Sequence, residues 1–211
     1  MTVDILTLLD GKWEDGTRPK DLFEKWMSKE PAVYVGMIME GLSGKVKKAQ
    51  NGCAELASLT SEAHPSLFYP HIQVFIKNLT AKEPILRWEA VCTLGNMAAL
   101  DAEKRAIVPH IPVILGMLQH QSIVLQGHAV KALCKIARVF GEQAAGIQER
   151  LIASPEYFPG NRVGFLVEAM EHFAQDPKLL AKARAFVKPY VGSDINSVAS
   201  KAKKVSKKLG A

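Results

Sequence analysis

Apolar residues recur along this chain at three- and four-residue steps, in segments of helical length set apart by Pro, Gly and Asp. The plainest run is Leu125, Ala129, Val130, Leu133, Ile136, Ala137 and Phe140, which falls on one helical face and leaves His128, Lys131, Lys135 and Arg138 on another. A helix is predicted from about Ser122 to Phe140, with Gly141 as its stop. A second runs from Pro84, whose missing N–H costs nothing in a first turn, to about Ala99, and Asp101 is placed to cap the helix that follows.

These two segments belong to a repeat. Tyr69–Ala98 aligned with Val108–Ala137 at an offset of 39 gives ten identities in thirty positions: Pro70/Pro109, His71/His110, Ile72/Ile111, Val74/Val113, Leu79/Leu118, Leu86/Leu125, Ala90/Ala129, Val91/Val130, Leu94/Leu133 and Ala98/Ala137. Chance would give roughly two. Each unit reads as two helices, the first from Pro-His-Ile to Leu79 or Leu118. Weaker copies flank the pair: Ala49, Cys53, Leu56 and Ala57 mark an earlier second helix, and Val167, Met170, Phe173 and Ala174 place another over Arg162–Gln175, ended by Asp176-Pro177. Asp21–Gly41 supplies one or two capping helices around Leu22, Trp26, Val33, Met37 and Ile38; the segment 7–20 has no clear role. Ile195, Val198, Ala202, Val205 and Leu209 stripe a C-terminal cap.

The segment Tyr-Pro-His-Ile…Leu-Arg-Trp-Glu-Ala-Val-Cys-Thr-Leu-Gly-Asn-Met-Ala and its copy resemble HEAT repeats, of the armadillo-like α-solenoid class, over Ala32–Gln175. Pro70 and Pro109 match that family's first-helix proline, and Leu86-Arg87 its aliphatic-Arg pair. The turn aspartate is missing, and Lys47 and Gln126 stand where neighbouring units would carry the arginine. The resemblance implies an all-α, right-handed α-α superhelix of about five helix pairs. A single domain over 1–211 is expected, with N-terminal caps in 1–43, the clearest repeats in 44–175, and C-terminal caps with a Lys-rich end in 176–211.

In proteins of this kind the second helices line a concave binding face, so their non-core positions become the candidate site. Helical spacing selects Lys48, Asn51 and Glu55, then Trp88, Glu89, Cys92 and Asn96, then His128, Lys131, Lys135 and Arg138, and finally Phe165, Glu168 and His172. The basic row from His128 to Arg138 reads either as a grip for acidic groups or as ordinary solvated charge. Trp88 reads either as an anchor of the kind enriched at binding hot spots or as packing against the next repeat.

Other chemistry finds little support. His71 and His110 recur one repeat apart, about 10 Å by helix packing, which is too far for one metal at about 2 Å per bond; no metal site and no cofactor are expected. Repeat-built di-iron hydroxylases, which resemble HEAT proteins, carry His-Glu dipeptides, and this chain contains none. No GxSxG, GxxxxGK[ST], GxGxxG or HExxH motif occurs, and no catalytic residue is assigned. Cys53, Cys92 and Cys134 are odd in number and far apart, so reduced thiols are expected, with Cys92 the one whose register reaches the candidate face.

The formal charge is +6, much of it in Lys201, Lys203, Lys204, Lys207 and Lys208, which suit a helix C-terminus and have no interleaved aromatic for stacking on bases. No apolar run approaches the roughly 20 residues of a membrane span, and Met1–Gly11 lacks the features of a secretory signal, so a soluble cytoplasmic protein is expected. The expected function is that of a non-catalytic scaffold or adaptor whose concave face docks a protein partner with an acidic surface. The alternative is a DNA-binding or DNA-repair protein resembling the HEAT-like alkylation-repair glycosylases, whose groove carries a catalytic aspartate where this register places Glu55, Glu89 and Glu168.

Overall fold

A computed structural model describes residues 3–10 and 17–210; residues 11–16, within the segment left without a role above, lie outside them. Every regular element among the described residues is helical. The chain divides at Val108/Pro109 into two compact units.

The first unit holds α1 (Ile5–Asp10), α2 (Thr17–Leu22), a π-helical turn Phe23–Met27, and two helix pairs, α3 (Pro31–Ser43) with α4 (Lys47–Ala63) and α5 (Ile72–Asn78) with α6 (Pro84–Met97). Its broadest contact is α4 on α6. Ala49, Cys53, Leu56 and Ala57 of α4 and Ala90, Val91, Leu94 and Met97 of α6 are buried, as their spacing predicts. Gly41 lets α3 approach α4 closely, since a Cβ there would overlap Cys53 Sγ.

The second unit holds three pairs: α7 (Ile111–Gly116) with α8 (Ile123–Val139), α9 (Gly141–Ile152) with α10 (Val163–Ala169), and α11 (Pro177–Val187) with α12 (Asn196–Lys208). All seven residues of the Leu125–Phe140 stripe are buried. Ser122 caps α8 by accepting from Leu125 N, and Asp176 caps α11 by accepting from Lys178 N and Leu179 N. The first helices α5 and α7 each open on a 3₁₀ turn, Tyr69–His71 and Val108–His110, with the repeated proline in its middle.

Three local expectations are corrected. Gly141 does not terminate α8; Phe140 turns the chain at ψ 77° and Gly141 opens α9. Ile195 is 38% exposed because it sits at the N-cap of α12, one step before the stripe of Val198, Ala202, Val205 and Leu209. Val33 is exposed, and Tyr34, Ile38 and Leu42 carry the buried face of α3 instead.

The polar connections show how the turns are held without a regular Asp/Arg ladder. Gln126, buried at the start of α8, donates through Nε2 to Leu118 O and Tyr157 O, both at 2.9 Å. Arg87 Nε donates to Ala81 O at 3.1 Å, and Gln148 Nε2 to Leu179 O at 2.8 Å. Lys47 pairs with Glu83 at 2.6 Å. Gln126 and Arg87 thus satisfy carbonyls in or next to turns, Gln148 satisfies one in the first turn of α11, and Lys47–Glu83 is a pair with an exposed lysine.

Asp101 does the same for the turn after α6. Fully buried, it accepts from Ala106 N at 3.0 Å, Ile107 N at 2.7 Å and the Tyr69 hydroxyl at 2.9 Å. It does not cap the helix that follows, the role its position suggests: the amides it holds, of Ala106 and Ile107, lie in the turn before the 3₁₀ segment Val108–His110, and its other contact is back to Tyr69. Its backbone carbonyl accepts from Arg105 N in the turn where Arg105 takes φ 55°. Asp101→Ala is expected to cost about 3 kcal/mol, because two amides and a hydroxyl lose a charged acceptor, and Tyr69→Phe about 1 kcal/mol. Urea unfolding followed by circular dichroism measures both; a loss below about 1 kcal/mol for Asp101→Ala would show that this carboxylate does not hold the turn.

Candidate docking surface

In the first unit, the α4–α6 contact brings Ser58 beside Glu89 and Asn96, with Glu55 near Glu89. The half-buried Trp88 donates its indole N–H to Glu89 Oε1 at 3.0 Å. The Glu89 carboxyl is pushed up to about 7, first by burial and then by the neighbouring Glu55, against hydrogen bonds from Ser58 and Trp88 and the charge of Lys20. Asn96 spends its amide donors on α4, at Ser58 O (3.2 Å) and Ser61 Oγ (2.8 Å), so it ties two second helices together. Cys92 is half-buried, whereas Cys53 and Cys134 are fully buried with thiols pushed up to about 12, which makes them poor nucleophiles.

In the second unit, α8, α10 and α12 lie in succession, α10 touching both neighbours. Lys131 and Arg138 are exposed on α8, and His128 and Lys135 are half-buried. Burial, aided by Lys131, holds the His128 imidazole below its usual value. His172, at the end of α10's 3₁₀ extension Met170–Phe173, is lowered by burial and by Arg138, Lys208 and Lys135, with Glu171 opposing. Arg138 and Lys135 of α8 and Lys208 of α12 thus lie near His172.

Phe165 does not offer a free aromatic face. Its ring lies where a Cβ on Gly127 would touch it, and Lys201 Nζ sits 5.4 Å over its centroid. Glu168 is paired with Lys201 at 2.7 Å and Glu171 with Lys208 at 2.6 Å. Sequence reasoning missed Glu171, Lys201 and Lys208 as parts of this face. No fixed repeat offset finds them, because Lys201 lies 33 residues after Glu168 and Lys208 lies 37 after Glu171; the seven-residue spacing of the two lysines, which puts both on one side of α12, is the signal the sequence does hold.

Among the described residues no group of three or more His, Cys, Asp or Glu side chains is placed to hold a metal ion, and no helix is long and apolar enough to cross a membrane. Lys201 and Lys208 are paired with Glu168 and Glu171, and α8 adds Lys131, Lys135 and Arg138 to the same set, in which lysines and arginine outnumber the glutamates.

No family model and no curated protein matches the chain. Solved structures do match in fold. An engineered protein from a structural genomics consortium is 17% identical over 98% of this chain and 96% of its own, with a TM-score of 0.66. A designed armadillo repeat protein is 16% identical over 98% and 91%, with a TM-score of 0.60. Another, in complex with the peptide (KR)4, is 15% identical over 97% and 90%, with a TM-score of 0.64.

Glu89 supplies a test of the first unit's electrostatics. Its folded-state value is raised above the unfolded one, so its contribution is favourable in acid and is lost as pH rises from about 4.5 through about 7. Glu89→Gln is therefore expected to stabilise the protein by roughly 1–2 kcal/mol at pH 8 and by nothing measurable at pH 4.5, in urea titrations at the two pH values. Equal effects at both would contradict the raised carboxyl.

With these matches spanning nearly the whole chain, the protein has the all-α fold of armadillo-type repeat solenoids.

Proposed function

We propose that this protein is a non-catalytic docking scaffold whose second unit binds an acidic segment of a protein partner across α8, α10 and α12. The observation that carries this reading is the cationic excess on that face: Lys131, Lys135 and Arg138 on one helix, with Lys201 and Lys208 two helices away already satisfying both carboxylates between them. Armadillo-type folds suit such a task, since rigid stacked helices hold their outward side chains at fixed spacing and lose little entropy when a chain settles on them. One fold relative is in complex with a basic peptide. Here the cationic face of α8, α10 and α12 favours an acidic segment by charge complementarity.

A protein segment is preferred over nucleic acid because Phe165, the aromatic among this unit's candidates, is covered by Lys201 and packed toward α8, leaving no platform for a base. A fluorescein-labelled octaglutamate peptide, read by anisotropy at low salt, tests the reading. Wild type should bind, and Lys131→Glu with Lys135→Glu should weaken binding at least about tenfold while leaving helicity intact. Unchanged affinity in that variant would sink the assignment, as would tighter binding of (KR)4 or duplex DNA than of octaglutamate.

One observation favours a second reading. Glu89, with its raised carboxyl beside Glu55 and Trp88, has the character of an acid–base group, as the alternative of a DNA-repair glycosylase would need. Release of an alkylated base from duplex DNA by the wild type, abolished in Glu89→Gln, would support it. No release by the wild type would dismiss it.

A further inference from the structure

We propose that Glu168 and Glu171 are built-in competitors of the acidic partner, occupying Lys201 and Lys208 until a partner carboxylate replaces them and so setting the threshold of affinity. This rests on the acidic-segment reading above and names the residues that regulate it.

The argument begins with the position of the lysines. Lys201 and Lys208 are seven residues apart on α12, two turns and about 10 Å along its axis, so both lie on one side of that helix. That side faces α10 and its extension. The stem of Lys201 crosses Gly164, where an added Cβ would come within 2.9 Å of its Cδ, and the ammonium passes over Phe165 to Glu168 Oε2 at 2.7 Å. Lys208 reaches Glu171 Oε2 at 2.6 Å, in the same surroundings as Lys135, Arg138 and His172. Neither pair is buried: the side chains of Lys201 and Glu168 are 35% and 49% exposed, and those of Lys208 and Glu171 are 51% and 31% exposed.

Exposed ion pairs of this kind contribute little to folding and exchange partners readily. Their effect on binding is larger than their effect on stability. An incoming carboxylate must first displace an internal one that is already at contact distance, so a segment with a single acid gains little. A segment with several acids in reach of Lys131, Lys135, Lys201 and Lys208 gains from all of them. The internal carboxylates thus favour dense acidic segments over isolated charges.

The same unit contains a matched control. Lys182 and Glu149 form a 2.6 Å pair of the same chemistry between α11 and α9, the first helices, away from the proposed face. Binding of labelled octaglutamate at low salt is measured for wild type, Glu168→Gln, Glu171→Gln, the double variant, and Glu149→Gln, with melting temperatures recorded for each. Each single variant on the face should bind about threefold tighter and the double variant about tenfold tighter, with Glu149→Gln unchanged.

Unchanged or weaker binding by the double variant overturns the inference, as does an equal gain from Glu149→Gln, which would mean that only net charge matters. Lys131→Glu with Lys135→Glu separates the two levels. If that variant binds normally while the double glutamine variant gains, the lysines of α12 act alone and the broader reading fails. If neither wild type nor the double variant binds the peptide, both fall.

Discussion

The packing of second helix against second helix is the interaction on which the rest of the structure depends. In the first unit α4 lies on α6, and in the second α8, α10 and α12 follow one another, each contributing a narrow apolar stripe such as Leu125, Ala129, Leu133 and Ile136. A buried leucine or isoleucine contributes roughly 1.5–3 kcal/mol, whereas an exposed ion pair contributes under about 1 kcal/mol. The apolar stripes therefore set where the helices lie, and the charges riding on them can change with little effect on stability. That separation lets one scaffold present a specific pattern of charge and remain folded when the pattern is altered.

Stacking also strands backbone groups in the turns, and long polar side chains recover them. Gln126 bridges Leu118 and Tyr157, Asp101 joins Tyr69 to Ala106 and Ile107, and Gln148 reaches Leu179. These residues do not form a uniform ladder. Each answers a particular carbonyl or amide within its reach, so the connections differ while the helix spacing repeats.

The repeat was legible in the chain because the apolar stripe obeys a strict helical period: Leu125 to Phe140 is buried throughout, and the helix pairs fall where the identities place them. Less was legible where reach matters more than period. Gln126 stood out as a gap in an arginine pattern, yet an amide at that position does comparable work. Gly141 suggested an ending, but the turn is made by Phe140 and the glycine opens the next helix. Helical spacing selects a candidate face on α4, α6, α8 and α10 and reads the lysines of α12 as a cap; a flexible side chain finds its partner across a helix contact that no single helical wheel contains. Asn96 illustrates the converse, an outward-reading position whose amide is spent on α4.

Recognition of an acidic segment by α8, α10 and α12 is the central claim, and mapping the contact residue by residue tests it most directly. A nitrogen-15-labelled chain titrated with octaglutamate should show backbone shift changes concentrated around Lys131–Arg138, Phe165–His172 and Lys201–Lys208, with the His172 imidazole titrating at higher pH in the complex. Changes centred instead on α9 and α11, or on the first unit, would contradict the account.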